Sequence, residues 1–418
     1  MPPGTAARRA RPALFLLAAS MIWLGVLGVA TLDRVPWGDE RHYVGTVRMF
    51  GRGMGLEPLR TYGELAPPLA FALYAWWGRL VGFELPRLRL LSLLIALATV
   101  MAVHALARRV LRHDRDAVLA ALFFLVHPYT IGLSVFVFND MLAILCAVLL
   151  AIGVAVGRPA LVVLGSAAGL MTRQYFAFLT VAAALHCGIR WARWRRTGDL
   201  VLLAGLLASC LPLAGLFLLW HGLGPASAPR ELYLSRGLSF EPAALTLYVT
   251  QLFTYLCPLL LLRPRSWAHQ FRRQWLWIGG VSLAYWLAPL RPAPPQVAAG
   301  IDTVGLLHRA IRATIGQLGA SAEDVFFWIT FALGLSVLSS ILWHAMSRRE
   351  TDCPDMRTFL TLAVGCFLVV MPFSYMHWEK YFMPLLPLAG VLVLAIRDDR
   401  MRIGEEELHG SRFRPGPA

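Results

Sequence analysis

The chain has 418 residues, of which 58% are hydrophobic and 15% charged, at a mean hydropathy of +0.61. So little charge excludes a soluble globular protein of this size, which needs a polar shell. The net charge of +15 does not imply nucleic acid, because the cations cluster at the ends of apolar runs, where the positive-inside rule places them.

The apolar runs lack the period-2 alternation of a membrane barrel. In lipid every backbone N–H and C=O must pair within its own segment, so they are predicted to be helices. The fold expected is an all-α polytopic membrane bundle of about 12 transmembrane helices. In chain order the approximate spans are 13–32, 87–107, 117–134, 141–157, 159–172, 175–189, 199–220, 243–262, 274–290, 324–345, 358–375 and 381–397. The first run follows Arg8, Arg9 and Arg11, is long for a signal-peptide core and lacks a cleavage site, so it reads as a retained helix. Residues 66–82 are also apolar, but Pro67 and Pro68 open the stretch and Gly78 and Arg79 interrupt its end. They read as an interfacial helix. Counting them as a span would invert every later loop and put the Arg-rich 190–196 cluster outside.

With the N- and C-termini inside, the dense arginine clusters at 108–116, 190–196, 263–273, 348–357 and 397–418 are cytoplasmic. Three outer segments, 33–86, 221–242 and 291–323, are then long enough to build a site, whereas the inner loops are short. Residues 1–400 read as one domain and 401–418 as a short cytoplasmic tail. The six cysteines show no metal-ligand or disulfide spacing and read as small core residues. No metal and no cofactor is expected.

Four clusters fall at the outer boundary. The first is Trp37-Gly38-Asp39-Glu40-Arg41-His42-Tyr43. Adjacent carboxylates at a lipid boundary are costly unless solvated or paired, and one of them is suited to act as a base. The same acids would also suit a solvated helix N-terminus. The second is Asn139-Asp140, which also suits a helix cap. The third is Thr172-Arg173-Gln174, where Arg173 either pairs with an anion such as phosphate or snorkels to headgroups. The fourth is Tyr375-Met376-His377-Trp378-Glu379-Lys380-Tyr381, holding the sole lysine of the chain. It reads either as an anion site or as an interfacial aromatic belt. Arg230 and Arg236 are weaker candidates for holding an anionic donor.

These clusters, in this order, resemble the GT-C superfamily of glycosyltransferases. The stretch 67–150, with PPLAFALYAWWGRLVG, PRLRLLSLLIALATVMAVHALARRVL, ALFFLVHP and FND, is similar to the protein mannosyltransferase and aminoarabinose transferase branch. The segment Met171-Thr172-Arg173-Gln174 and the spacing of Asp39, Glu40, His42 and Tyr43 resemble the dolichyl-phosphate-glucose α-1,2-glucosyltransferase. The likeness also takes in EKYFMPLLP; between 200 and 370 little is recognisable. It implies that Asp39 is the base, with Glu40 its neighbour, and that Asp140 is the acid of the second outer turn. Arg173 and Lys380 would face the donor phosphate, with Gln174, His42, Tyr43, His377 and Tyr381 completing the donor and acceptor sites. Lys380 stands where the family pattern has arginine before Tyr-x-x-Pro. The large outer domain of some members is absent, so acceptor recognition would fall to the three outer loops.

The activity so implied is transfer of a sugar, with inversion, from a polyprenyl-phosphate donor to a hydroxyl of a lipid, glycan or protein acceptor. The site would face outward, in a bacterial inner membrane. Two rivals stand beside it. A transporter or flippase of a lipid-linked sugar would need inverted repeats and polar residues near the midplane, which the sequence does not show. A non-catalytic scaffold would leave the clustering of Asp39, Asp140 and Arg173 without a reason.

Overall fold

The computed structural model describes residues 3–225, 227–228, 239–262, 264–346, 356–374 and 376–396. Arg230, Arg236, Tyr375 and the 401–418 tail lie outside the described residues. The described residues hold helices and no strand. Six helical segments are long and apolar enough to cross a membrane: Arg11–Thr31, Leu85–Val110, Gln174–Trp194, Thr197–Trp220, Ala320–Met346 and Met356–Phe373. A seventh is the pair Asp114–Val126 and Pro128–Val135, bent by 66°. The bend follows from Pro128, whose ring forces His127 out of the helical region to φ −63°, ψ 133°. Side chains such as Leu14, Phe15, Ile22 and Val29 on the first helix are exposed, which suits a hydrocarbon surround. The protein is an all-α membrane protein.

The sequence reading of about twelve spans is longer than this list. Asp140–Val156, Pro159–Leu170 and Leu386–Ile396 are apolar but short. At 17 residues, Asp140–Val156 reaches only about 25 Å, less than the ~30 Å hydrocarbon core. The 66–82 stretch forms a 13-residue helix, Leu69–Val81, about 20 Å long. It buries Ala70, Phe71, Tyr74 and Ala75 and exposes Trp76 and Leu80, as a helix lying on a surface does.

Seven helices position the site. They are α1 (Pro3–Thr31), α2 (Glu40–Arg52), α3 (Leu56–Thr61), α4 (Leu69–Val81), α5 (Leu85–Val110), α6 (Asp114–Val126) and α7 (Pro128–Val135). The hairpin α8 (Asp140–Val156) and α9 (Pro159–Leu170) follows them. The hairpin turns at Gly157, φ 64°, where the Arg158 amide donates back to the Gly153 carbonyl at 2.9 Å. Pro159 then opens α9, where its missing N–H costs no hydrogen bond. The two helices pack side by side, so Asp140 at the start of α8 and Arg173 just past α9 arrive at the same end.

Candidate active site

The 33–40 segment is held by one buried arginine. Arg89, on the first turns of α5, donates from Nη1 to the carbonyls of Thr31, Leu32 and Arg34 at 2.8, 2.9 and 2.7 Å. These carbonyls lie at the C-terminal end of α1, where helical acceptors lack partners and the dipole favours a cation. The same guanidinium grips Glu40 with two parallel bonds, Nε to Oε1 at 3.0 Å and Nη2 to Oε2 at 2.6 Å. Glu40 also accepts from the Val137 amide at 2.9 Å and the Trp37 amide at 3.2 Å. Both side chains are 0% exposed. Glu40 is therefore a tie between α1, α2, α5 and the 136–139 segment. Both of its oxygens are engaged by these partners, so Glu40 has a structural place.

Asp39, the preceding residue, points elsewhere. Its side chain is 43% exposed, and Lys380 Nζ donates to its Oδ2 at 2.7 Å. Burial by itself would raise its pKa; the charge and hydrogen bond of Lys380, helped by Arg173 and His42, win and hold the carboxyl below its ordinary range. Asp140 is 0% exposed and receives Arg173 Nη2 at 2.8 Å. Asp140 thus orients Arg173 and is itself sealed from a substrate. Arg173 Nε is buried and makes no hydrogen bond among the described residues. Arg173, Asp39, Lys380 and Asp140 all act electrostatically on the Tyr43 hydroxyl. Burial is the first reason its pKa is raised. Aromatic rings stand beside these residues. Tyr43 meets Phe71 and Phe138 edge-on, and Tyr381 lies 5.1 Å from Tyr175. Lys380 Nζ sits 5.7 Å from the centre of the Phe138 ring.

The remaining residues read from the sequence divide. His42 lies beside the pocket, Nδ1 3.9 Å from Glu64 Oε1. Gln174 clips two outer segments together, donating to the carbonyls of Leu65 at 2.9 Å and Leu223 at 2.8 Å. It has a structural place. His377 is buried, its Nε2 at 2.6 Å from the Arg291 carbonyl, and its own carbonyl accepts from Gln296 at 3.1 Å. It anchors the 291–298 segment.

Two acids were given no role by the sequence reading, Glu64 unnamed there and Glu379 named only within its cluster. Glu64 lies in the turn before α4 and is only 12% exposed. Burial first, and then the charge of Asp39, push its carboxyl up to about 7, against the opposing pull of Arg173 and a Thr46 hydrogen bond. Glu379, next to Lys380, caps the helix Leu306–Thr314, accepting from the Leu307 and His308 amides at 2.8 and 2.7 Å. Tyr129 and Tyr255 also donate to it, at 3.0 and 2.9 Å. Burial leads the causes that raise its pKa. The 302–318 segment is thereby fastened directly behind the Lys380 backbone. Gly305 permits the contact, since a Cβ there would fall 2.6 Å from Glu379 Cβ. Gly305→Ala is expected to cost about 1–3 kcal/mol through overpacking, read as a lower thermal unfolding midpoint in detergent. An unchanged midpoint would show that the segment is not pinned at Glu379.

No family model and no curated protein matches the sequence. Among solved structures, ArnT from Cupriavidus metallidurans bound to undecaprenyl phosphate is similar at 15% identity, with 99% of this chain and 82% of that chain covered and a TM-score of 0.42. ArnT from the same organism in the apo state is similar at 15% identity over 92% of this chain and 77% of that one, also with a TM-score of 0.42.

Proposed function

We propose that the protein is a GT-C-type membrane glycosyltransferase that moves a sugar from a polyprenyl-phosphate donor to an acceptor hydroxyl on the extracytoplasmic face. One observation carries the reading. Two cations and two carboxylates from four distant segments, Arg173 paired with Asp140 and Lys380 with Asp39, lie within electrostatic reach of one another beside the ends of apolar helices. A structural ion pair needs neither the open Asp39 nor the unbonded Nε of Arg173. A lipid-linked phosphate held at that depth suits both.

The reaction follows from the charges. The acceptor oxygen attacks the anomeric carbon from the side opposite the phosphate, so the configuration inverts. Negative charge grows on the leaving phosphate, and Arg173 and Lys380, already in place, stabilise it. Asp39, kept ionised, accepts the hydroxyl hydrogen bond and then the proton. Asp140 fixes the guanidinium plane. Two side-chain cations balance a monophosphate leaving group, so the scheme requires no divalent metal. Twelve crossings, with both termini cytoplasmic in a bacterial inner membrane, are part of the same proposal. The donor is taken to be hexose-type; the acceptor is a lipid, glycan or protein hydroxyl presented to the outer loops.

The test is turnover of radiolabelled polyprenyl-phosphate sugars by the purified protein. Sugar transfer with release of polyprenyl phosphate is expected; a donor carried across vesicles intact would support a flippase instead. Arg173→Lys keeps the charge but loses the planar fork that grips Asp140 and a phosphate together. It is expected to lower kcat/KM for the donor by about 10²–10³-fold. Full activity in that variant would take Arg173 out of phosphate binding.

A further inference from the structure

Resting on the transfer reaction above, we propose that Glu379 is a positioning residue for Lys380: it locks the lysine's backbone from behind and so keeps Nζ at the leaving phosphate while Asp39 takes up the acceptor proton. The need follows from the chemistry. Lys380 Nζ is paired with Asp39 Oδ2 at 2.7 Å. Once Asp39 is protonated its charge is gone, at the moment when charge grows on the phosphate. A lysine is a point charge on a flexible four-carbon stem, so a weakened ion pair leaves it free to swing. Arg173 is not so exposed to the reaction, because Asp140, at 0% exposure, holds its guanidinium at 2.8 Å throughout.

Glu379 supplies a hold that turnover does not touch. Its side chain is buried, and each carboxylate oxygen faces a backbone N–H. Oε1 accepts from His308 at 2.7 Å and Oε2 from Leu307 at 2.8 Å. Oε2 also accepts from the hydroxyls of Tyr129 at 3.0 Å and Tyr255 at 2.9 Å. The Tyr129 hydroxyl in turn accepts from the Leu306 amide at 2.7 Å. These donors are amides and phenols, none of which the reaction charges or discharges. The backbone is held too. The Glu379 amide donates to the Val304 carbonyl at 2.9 Å, and the Glu379 carbonyl accepts from Gln251 Nε2 at 3.1 Å.

A helix cap is ordinarily a short polar residue of the helix's own chain. Here the helix Leu306–Thr314 is capped across 71 residues by the neighbour of Lys380. The Glu379–Phe382 turn that carries the lysine is thereby fixed to the 304–308 segment, to Gln251 and Tyr255, and to Tyr129 at the start of α7. The chain leaving α7 brings Phe138, whose ring centre lies 5.7 Å from Lys380 Nζ. One stretch of chain therefore meets the lysine at both its root and its tip.

The experiment uses the full-length protein in nanodiscs. Lys380 is the sole lysine of the chain, so isotope-labelled lysine gives one side-chain NMR signal, which reports this residue alone. In the wild type that signal is expected away from the free-lysine position, displaced by Asp39 and the Phe138 ring. Glu379→Gln sets its NH2 against the N–H of Leu307 or His308, whichever way the amide is turned. The signal is then expected to move toward the free-lysine position. At a saturating polyprenyl-phosphate donor, kcat is expected to fall about 10–100-fold, the cost of a misplaced group, with donor KM changed less. A lysine signal that stays in place while the unfolding midpoint falls shows a purely structural tie and overturns the proposal, as does wild-type kcat. If Glu379→Gln does not fold, Tyr255→Phe decides: it removes one bond to Oε2 and keeps the carboxylate. A smaller move of the same signal is expected, and no move overturns the proposal. No turnover of any polyprenyl-phosphate sugar by the wild type sinks the transfer reading; the lysine signal, read without turnover, still decides whether Glu379 sets Lys380.

Discussion

Arg89→Ala is expected to destabilise the protein by about 3–5 kcal/mol, the usual cost of leaving one member of a buried ion pair without its partner. Removal of the guanidinium leaves the Glu40 carboxylate charged at 0% exposure and strips three carbonyls at the end of α1 of their donor. Thermal unfolding of the purified variant, with its yield from membranes, measures the loss. Glu40→Gln should fall in parallel, in stability and activity together, because it breaks the same clamp. Were Glu40 a catalytic acid, Glu40→Gln would lose turnover at an undiminished unfolding midpoint, and that result would restore it to the chemistry. The double variant Glu40→Gln, Arg89→Ala completes a thermodynamic cycle. A large coupling term is expected because the two side chains bond to each other twice.

Which parts of this were legible beforehand depends on whether the signal was local. Asp39, Asp140, Arg173 and Lys380 each abut an apolar run, so their level in the membrane could be read from neighbouring residues alone. Their pairing could not. Lys380 meets Asp39 across 341 residues and Arg89 meets Glu40 across 49. Periodicity carries nothing over such distances. Asp39 and Glu40 were read as one acidic pair, yet successive residues at a helix start point about 100° apart, as 3.6 residues per turn requires. One therefore faces the open pocket and the other the α5 arginine. Glu64 was missed because a single acid in a polar loop carries no pattern; only its low exposure and its approach to His42 on α2 mark it. Twelve apolar runs exceed the six or seven spans that meet the length test in part because Asp140–Val156, Pro159–Leu170 and Leu386–Ile396 are short and Pro128 bends the 114–135 pair.

Asp39→Asn should lower transfer by about 10²–10⁴-fold, the range of a lost proton acceptor, while the fold stays intact. The fold survives because the Asp39 side chain is 43% exposed and its neighbour Glu40 carries the clamp. The amide can still accept a hydrogen bond from Lys380, so geometry is kept and only charge and basicity are removed. Measured kcat with a saturating polyprenyl-phosphate donor, beside the unfolding midpoint, separates the two effects. The pH behaviour adds a second reading. The Asp39 carboxyl is depressed below its ordinary range, with burial opposing and Lys380 prevailing. Its contribution to stability is therefore present above the unfolded carboxylate range and lost as the pH falls through the lower folded value. Asp39 stays ionised across neutrality and produces no limb there, so any rise in rate near neutral pH belongs to another group. If Asp39→Asn retains wild-type turnover in a well-folded sample, the base lies elsewhere. The ion pair with Lys380 would then be only a bridge from the last outer turn to the first.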